Sequence, residues 1–135
     1  MNPRETSYST LWAQAVNARE AWAKAQPKNY EKWESKACRS AFGIYKTQCF
    51  CERLARAYDS PWLKPSHLEA VRLYLINKHH WHPAQVKDLT FVELSSLLQE
   101  ELVGMAMTDE EWTPVQHWAE GMDCYSELVQ FAHLK

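Results

Sequence analysis

The stretch SHLEAVRLYLINKHH, residues 66–80, carries the sequence pattern that decides the fold class. Ser66 is followed three residues later by Glu69, the spacing at which each side chain can bind a backbone N–H at the start of a helix. Apolar residues then recur every three or four positions until the segment ends at two histidines, which is the period of one helix face. The segment therefore predicts a helix that begins just after Ser66.

The same capping pattern occurs twice more in the second half of the chain. Thr90 precedes Glu93 ahead of FVELSSLLQEELV, and Thr108 precedes Glu111 ahead of WTPVQHW. Each pair stands directly before an apolar run with helical spacing, so the three capping boxes together indicate three helix starts.

The first half of the chain predicts two long helices. Residues 6–26 form one apolar stripe with spacings of three and four. Pro27 ends this helix, because the residue before a proline avoids helical backbone angles. Asn29 is the expected N-cap of the next helix, which covers residues 30–58 and is interrupted only by Gly43.

The remaining segments complete the helical pattern. Pro83 suits the first position of a short helical turn over residues 83–88. Gly104 suits a C-terminal helix cap. The last apolar stripe keeps helical spacing through Gly121, which predicts one C-terminal helix that restarts at residues 113–114.

Length and composition agree with one helical domain. The chain has 135 residues, of which 46% are apolar and 24% charged, and it contains only three glycines. No segment alternates between apolar and polar residues as a half-buried strand would. We therefore predict an all-α fold, a single domain over residues 1–135 that forms a bundle of five or six helices.

No part of the sequence indicates a membrane or secretory protein. No apolar run approaches the ~20 residues that span a bilayer, and the opening MNPRETSYST lacks the apolar core of a signal peptide. Four cysteines without such a signal predict reduced thiols. We expect a cytoplasmic protein without membrane contact.

Seven tryptophans set this composition apart from that of an average domain. They are spread over the predicted helices, so we expect most of them in the core. Trp and Tyr are also common anchors at protein interfaces, and one or two exposed tryptophans would suit that purpose. The candidates are Trp62, in the loop 59–65, and Trp81, at the end of the helix 66–80.

Charge is divided unequally along the chain. The predicted basic helices, at about 6–80, lie in the half 1–80, which has 13 Lys and Arg against 7 Asp and Glu, a net +6. The acidic helices lie in the half 81–135, which has 2 against 10, a net −8. Such asymmetry indicates an interaction surface, and two copies could also associate head to tail as a homodimer.

Four basic residues in the second helix, here called the basic stripe, recur at intervals of seven. A seven-residue step drifts only about 20° around a helix, so these side chains should form one line on the side away from the apolar band, with Lys36 beside it. This stripe is either a solvated face or a contact surface for an acidic partner: nucleic acid, another protein, or the acidic half of this chain. The basic stripe consists of Lys32, Arg39, Lys46 and Arg53, and the acidic candidates within the chain are Glu93, Glu100, Glu120, Glu127 and residues 109–111.

The sequence HHWH, residues 79–82, raises the question of a metal site. His79 and His80 are neighbours and point about 100° apart on a helix, so they cannot share a face. His79 and His82 supply at most two converging ligands, whereas a stable site needs three or four. The alternative is that the histidines bind the last carbonyls of the helix, with Trp81 packed over its end. We expect no dedicated metal ion.

Catalytic motifs are missing from the sequence. It contains no glycine-rich phosphate loop, no GxSxG and no HExxH. Cys49 with a histidine could form a nucleophile and base pair, but an isolated cysteine is more often a small buried apolar residue. We expect a protein without enzymatic activity or cofactor.

These observations favour a small protein-binding protein, an adaptor or an inhibitor, whose partner has an acidic or mixed-charge surface. Compact proteins without motifs are common among phage and plasmid accessory factors. A nucleic-acid-binding protein that uses the basic stripe is the first alternative, although the sequence pI near 6.3 is low for that class. A metal- or pH-responsive protein that uses HHWH is the second.

Overall fold

The structure is a computed structural model that describes residues 7–26 and 32–134. Within these ranges the chain is helical and contains no β-strand, which confirms the all-α prediction. The described residues form eight helical segments, more than the five or six expected. They are α1 (Tyr8–Ala25), α2 (Trp33–Tyr58), α3 (His67–His79), α4 (Pro83–Val86), α5 (Phe91–Leu97), α6 (Gln99–Gly104), α7 (Asp109–Ala119) and α8 (Tyr125–Ala132).

The prediction of one C-terminal helix is wrong. Helix α7 ends at Ala119, and α8 begins at Tyr125. Gly121 lies between them with φ +90°, a left-handed conformation that favours glycine because it has no Cβ. Pro114 lies inside α7 and does not restart it. The apolar spacing continued across the break because both helices bury residues in the same cluster.

A second break separates α5 from α6 at Leu98. The Leu98 N–H is shared between the carbonyls of Leu94, at 3.2 Å, and Ser95, at 3.1 Å, a pattern typical of a tightened helix end. Gly104 is the last residue of α6 and has no positive φ. It therefore does not form the left-handed cap that the sequence suggested.

All three predicted capping boxes are confirmed. In each, the hydroxyl of Ser66, Thr90 or Thr108 accepts the backbone N–H three residues later at 3.2 Å, and the glutamate at that position accepts the N–H of the capping residue. Pro83 begins α4 as expected. His82 is the N-cap of this short helix, which the sequence did not indicate; its Nδ1 accepts the Ala84 N–H at 3.1 Å.

Helix α2 runs unbroken through Gly43 and begins at Trp33 after Lys32. Pro27 and Asn29, the expected end and start signals, lie outside the described residues. So does residue 6, the expected start of the first helix; α1 begins at Tyr8 behind the hydroxyl of Ser7.

Two buried clusters lie on different sides of α2. One joins α2 to α1, α7 and α8, and the other joins it to α3, α5 and α6. Trp12 and Trp112 are buried in the first cluster, as predicted for core tryptophans, whereas Trp22 and Trp62 are exposed. Helix α2 is therefore the central element, and other helices surround it. Within 7–26 and 32–134, no helix is both long and apolar enough to cross a bilayer.

Candidate functional site

The basic stripe lies only in part on a solvated face. Lys46 is only 4% exposed, because the polar side of α2 is covered by the acidic half of the chain. The solvated-face alternative is therefore wrong for Lys46. Lys32 is exposed and Lys36 is half-buried, at the N-terminal end of the stripe. Whether any of these residues binds a partner stays a prediction.

Arg39 pairs with the second half of the chain near the molecular surface. Its Nε donates to Glu127 Oε2 at 2.8 Å, and both side chains are about one third to one half exposed. Glu127 belongs to α8, so this contact joins α2 to α8. An ion pair with this exposure contributes little to stability, about 0–1 kcal/mol.

Lys46 binds backbone carbonyls instead of a carboxylate. Its Nζ donates to the carbonyl oxygens of Leu102 and Phe131, each at 2.6 Å. These carbonyls belong to the last turns of α6 and α8, where helix C=O groups have no partner within the helix. Burial and, to a lesser extent, the positive charge of Arg53 lower the pKa of Lys46 to about 8. One lysine thus caps two helices.

Arg53 makes the most extensive contact of the stripe. Its Nη2 and Nε donate to the two carboxylate oxygens of Glu111 at 2.5 Å and 3.0 Å, and Nη2 also donates to the Ala106 carbonyl at 2.7 Å. Burial raises the pKa of Glu111, but hydrogen bonds from Arg53 and Thr108 outweigh this effect and hold it below its usual value. Tyr45 donates its hydroxyl to the Glu111 carbonyl. Glu111 therefore stays ionised at the start of α7.

A second polar group joins α2 to α3. His67 contacts Glu52 Oε2 through Nε2 at 2.6 Å and Gln48 Oε1 through Nδ1 at 2.8 Å. Glu52 is buried and also accepts the Arg56 Nε at 3.2 Å. His67 therefore joins the start of α3 to Gln48 and Glu52 of α2.

The four thiols are buried and unpaired. Burial raises the pKa of the Cys49 thiol, as it does for Cys38 and Cys51. A cysteine nucleophile reacts as the thiolate, so Cys49 is held in its unreactive protonated form at neutral pH.

The histidines of HHWH make separate local contacts. His79 stacks on Trp81, with ring centroids 4.5 Å apart. His80 adopts a left-handed conformation with φ +56° and ends α3. His82 caps α4. In the part of the chain that the structure describes, no group of three His, Cys, Asp or Glu residues could hold a metal ion.

Trp62 lies at the tip of a tight turn and is 85% exposed. Ser60 donates its N–H to the Leu63 carbonyl at 2.9 Å, and Leu63 donates its N–H to the Ser60 carbonyl at 3.3 Å. These reciprocal bonds close a two-residue loop that consists of Pro61 and Trp62. The fixed φ of proline further limits the motion of the backbone that carries the indole.

An apolar groove of about 550 Å³ lies beside this turn. Leu63 forms one wall, and α3 and α4 contribute the rest. The rim carries both signs of charge, with Glu69, Arg72 and Lys87. Trp62 was a candidate from the sequence, but this groove could not be predicted, because α3 and α4 are brought together only by the tertiary fold. The apolar lining consists of Leu63, Leu73, Ile76, Pro83, Ala84 and Val86.

Trp81, the second candidate anchor, is half-buried and packs against the cluster around Leu75 and Leu94. The backbone N–H of Trp81 donates to the Ile76 carbonyl at 3.2 Å, which fixes Trp81 over the end of α3.

Comparison with known proteins adds no functional assignment, because no protein-family model, no curated protein and no solved structure matches the chain.

Proposed function

We propose that this protein is a small non-enzymatic binding protein, an adaptor or an inhibitor, that docks on another protein through Trp62. The main support for this proposal is the indole of Trp62, which is 85% exposed at the tip of a hydrogen-bonded turn. An isolated large apolar side chain at a surface is ordinary. Here it stands on a turn closed by two backbone hydrogen bonds, next to an apolar groove.

The energetics of interfaces support this choice. Tryptophan is one of the residues most often found at interface hot spots, where its removal costs about 2 kcal/mol or more. The closed turn adds to this effect, because little backbone freedom is lost when a partner buries the side chain.

The partner should be a protein with an acidic or mixed-charge surface. Lys87 and Arg72 at the rim of the groove would meet acidic groups, and Glu69 would meet a basic one. We place the centre of the contact at Trp62 and not at the basic stripe, because Lys46 and Arg53 already donate to groups inside the molecule. The same observation weighs against nucleic acid as the partner.

The four thiols form no disulfide, which suits a cytoplasmic location.

The experiment compares two exposed tryptophans. Wild-type protein, Trp62→Ala and the control Trp22→Ala would each be immobilised, and host lysate, with and without nuclease treatment, would be passed over them. Trp22 is a matched control because it is 41% exposed but lies on α1, on a different element.

We expect a host protein that wild type and Trp22→Ala retain. With the purified partner, Trp62→Ala should raise Kd about 30-fold, the equivalent of a 2 kcal/mol hot spot. Equal retention by Trp62→Ala would contradict the proposed surface, and loss of the partner on nuclease treatment would favour the nucleic-acid alternative.

A further inference from the structure

A second cleft, separate from the groove at Trp62, lies between α2, α5, α6 and α8. Its volume is about 390 Å³, and it shares no lining residue with that groove. The lining is mainly apolar, and several side chains at its rim are exposed: Val92 at 72%, Val103 at 45% and Phe131 at 43%. Small-molecule sites are typically clefts of roughly 300–1,000 Å³ with apolar walls and a few polar groups. This cleft has that character.

Gly43 forms part of the cleft and has no structural reason to be glycine. It lies inside α2, where glycine is less favourable for helix formation than alanine. Its φ is not positive, and a Cβ built there would meet no atom within 4 Å. Neither a turn nor a close approach of two helices therefore requires glycine at position 43. The missing side chain leaves the space of the cleft unfilled.

Lys46, three residues further along α2, supplies the cationic group of the cleft. Two of its three N–H donors bind the carbonyls of Leu102 and Phe131. Among the described residues it forms no ion pair with a carboxylate. The two carbonyls offset part of the cost of burying this cation, and a bound anionic group would offset more of it.

The shape of the site restricts the ligand. Lys46 is 4% exposed, so only a slender group could reach its amine, and the flat surface of a folded protein could not. Only one N–H of the amine is left without a described acceptor. Phosphate and sulfate groups are usually held by several donors, such as Arg forks or helix N-termini, whereas a carboxylate can be held by one amine.

We propose that this cleft binds an amphiphile with a carboxylate head group and an unbranched alkyl chain. The carboxylate accepts the remaining N–H of Lys46, and the alkyl chain lies over Gly43 between the apolar side chains of α5 and α8. This site is independent of the protein-binding surface at Trp62, and either can exist without the other.

The test measures binding of sodium decanoate by calorimetry to wild type and to three variants. Gly43→Leu fills the cleft, Gly43→Ala adds only a methyl group, and Gly104→Leu is the matched control. A Cβ at Gly104 also meets nothing within 4 Å, but Gly104 does not line the cleft. The variants change no hydrogen-bonded side chain, so the fold should be retained, as circular dichroism would verify.

We expect one decanoate per chain in wild type and in Gly104→Leu, at least about tenfold weaker binding in Gly43→Leu, and a smaller effect in Gly43→Ala. Tenfold corresponds to about 1.4 kcal/mol. Decylamine, which has the same chain and the opposite charge, should not bind. The proposal is overturned if wild type binds no decanoate at millimolar concentration, if Gly43→Leu binds it as tightly as wild type, or if decylamine binds equally well.

Discussion

Arg53 and Glu111, 58 positions apart in sequence, are joined by two parallel hydrogen bonds between a guanidinium and a carboxylate that is only 2% exposed. The same carboxylate completes the capping box of α7 by accepting the Thr108 N–H at 2.9 Å. The contact therefore fixes the start of α7 and its position against α2 at once.

We expect Arg53→Met to lower the free energy of unfolding by about 3 kcal/mol, because it leaves a buried carboxylate without its cation. The matched control is Arg39→Met, which removes the exposed pair with Glu127 and should cost less than about 1 kcal/mol. Urea unfolding at neutral pH measures both. Equal losses would mean that the burial of Glu111 has no energetic consequence.

Alanine should change the free energy of unfolding in opposite directions at Gly43, in α2, and at Gly121, between α7 and α8. Gly43→Ala should stabilise the fold by about 0.5–1 kcal/mol, because it improves helix propensity and meets no neighbour. Gly121→Ala should destabilise it by about 1 kcal/mol, because φ +90° is strained for a residue with a Cβ. Thermal unfolding of both variants decides this, and a shift of the same sign in both would contradict the assignment.

Stability should fall at alkaline pH because of buried thiols. Burial raises the pKa of Cys51 from 9.0 to about 12. Between these values the unfolded chain releases the thiol proton while the folded chain keeps it, so the unfolded state binds fewer protons and stability decreases as pH rises.

The expected slope from this one thiol is about 1.4 kcal/mol per pH unit. In Cys51→Ala that contribution is absent, and urea unfolding between about pH 9.5 and 10.5 should show a correspondingly smaller decline. Parallel pH profiles for wild type and Cys51→Ala would contradict the proposed cause.

Two tryptophans offer a test of burial. Trp112→Ala should cost about 3–5 kcal/mol, because it opens a cavity in the core between α2 and α8. Trp62→Ala should change the free energy of unfolding by no more than about 0.5 kcal/mol, since the indole makes few contacts within the chain. A large loss in Trp62→Ala would show that the turn is a structural element, and its role as a docking anchor would then need another explanation.

The double variant His79→Ala and His82→Ala should leave bound metal unchanged in protein purified without a tag. Stability should fall by about 1 kcal/mol or less, because His82 caps only a four-residue helix. Elemental analysis provides the measurement. Stoichiometric zinc in wild type that disappears in the double variant would revive the metal-responsive alternative.

Local features of the fold could be predicted from the sequence, whereas contacts between distant elements could not. The capping boxes at Ser66, Thr90 and Thr108 were recognisable because donor and acceptor lie three residues apart. The break at Gly121 was missed because apolar periodicity shows only which helix face is buried. Two successive helices that bury the same face keep the same spacing even where the chain changes direction between them.

The candidate site follows the same division. Heptad spacing placed Arg39, Lys46 and Arg53 on one line, and the acidic half was one of their possible partners. The pairing of Arg53 with Glu111 and of Arg39 with Glu127 could be identified only from the fold. The same holds for the carbonyls that bind Lys46, because every residue has a backbone carbonyl and the sequence cannot select among them. Trp62 could be named from its position in a proline-bounded loop, but its exposure depended on how the turn closed.

The contacts of α2 also determine when the domain can fold during synthesis. Arg39 and Lys46 reach groups 88 and 85 residues further along the chain, distances that are unusual for a helical bundle, where contacts are mostly local and folding is fast. A nascent chain that ends before residue 111 would lack Glu111, Glu127 and the Phe131 carbonyl, and one side of the core would be uncovered. Folding of the domain should therefore wait until residue 131 has left the ribosome, and until then α2 would be a substrate for chaperones.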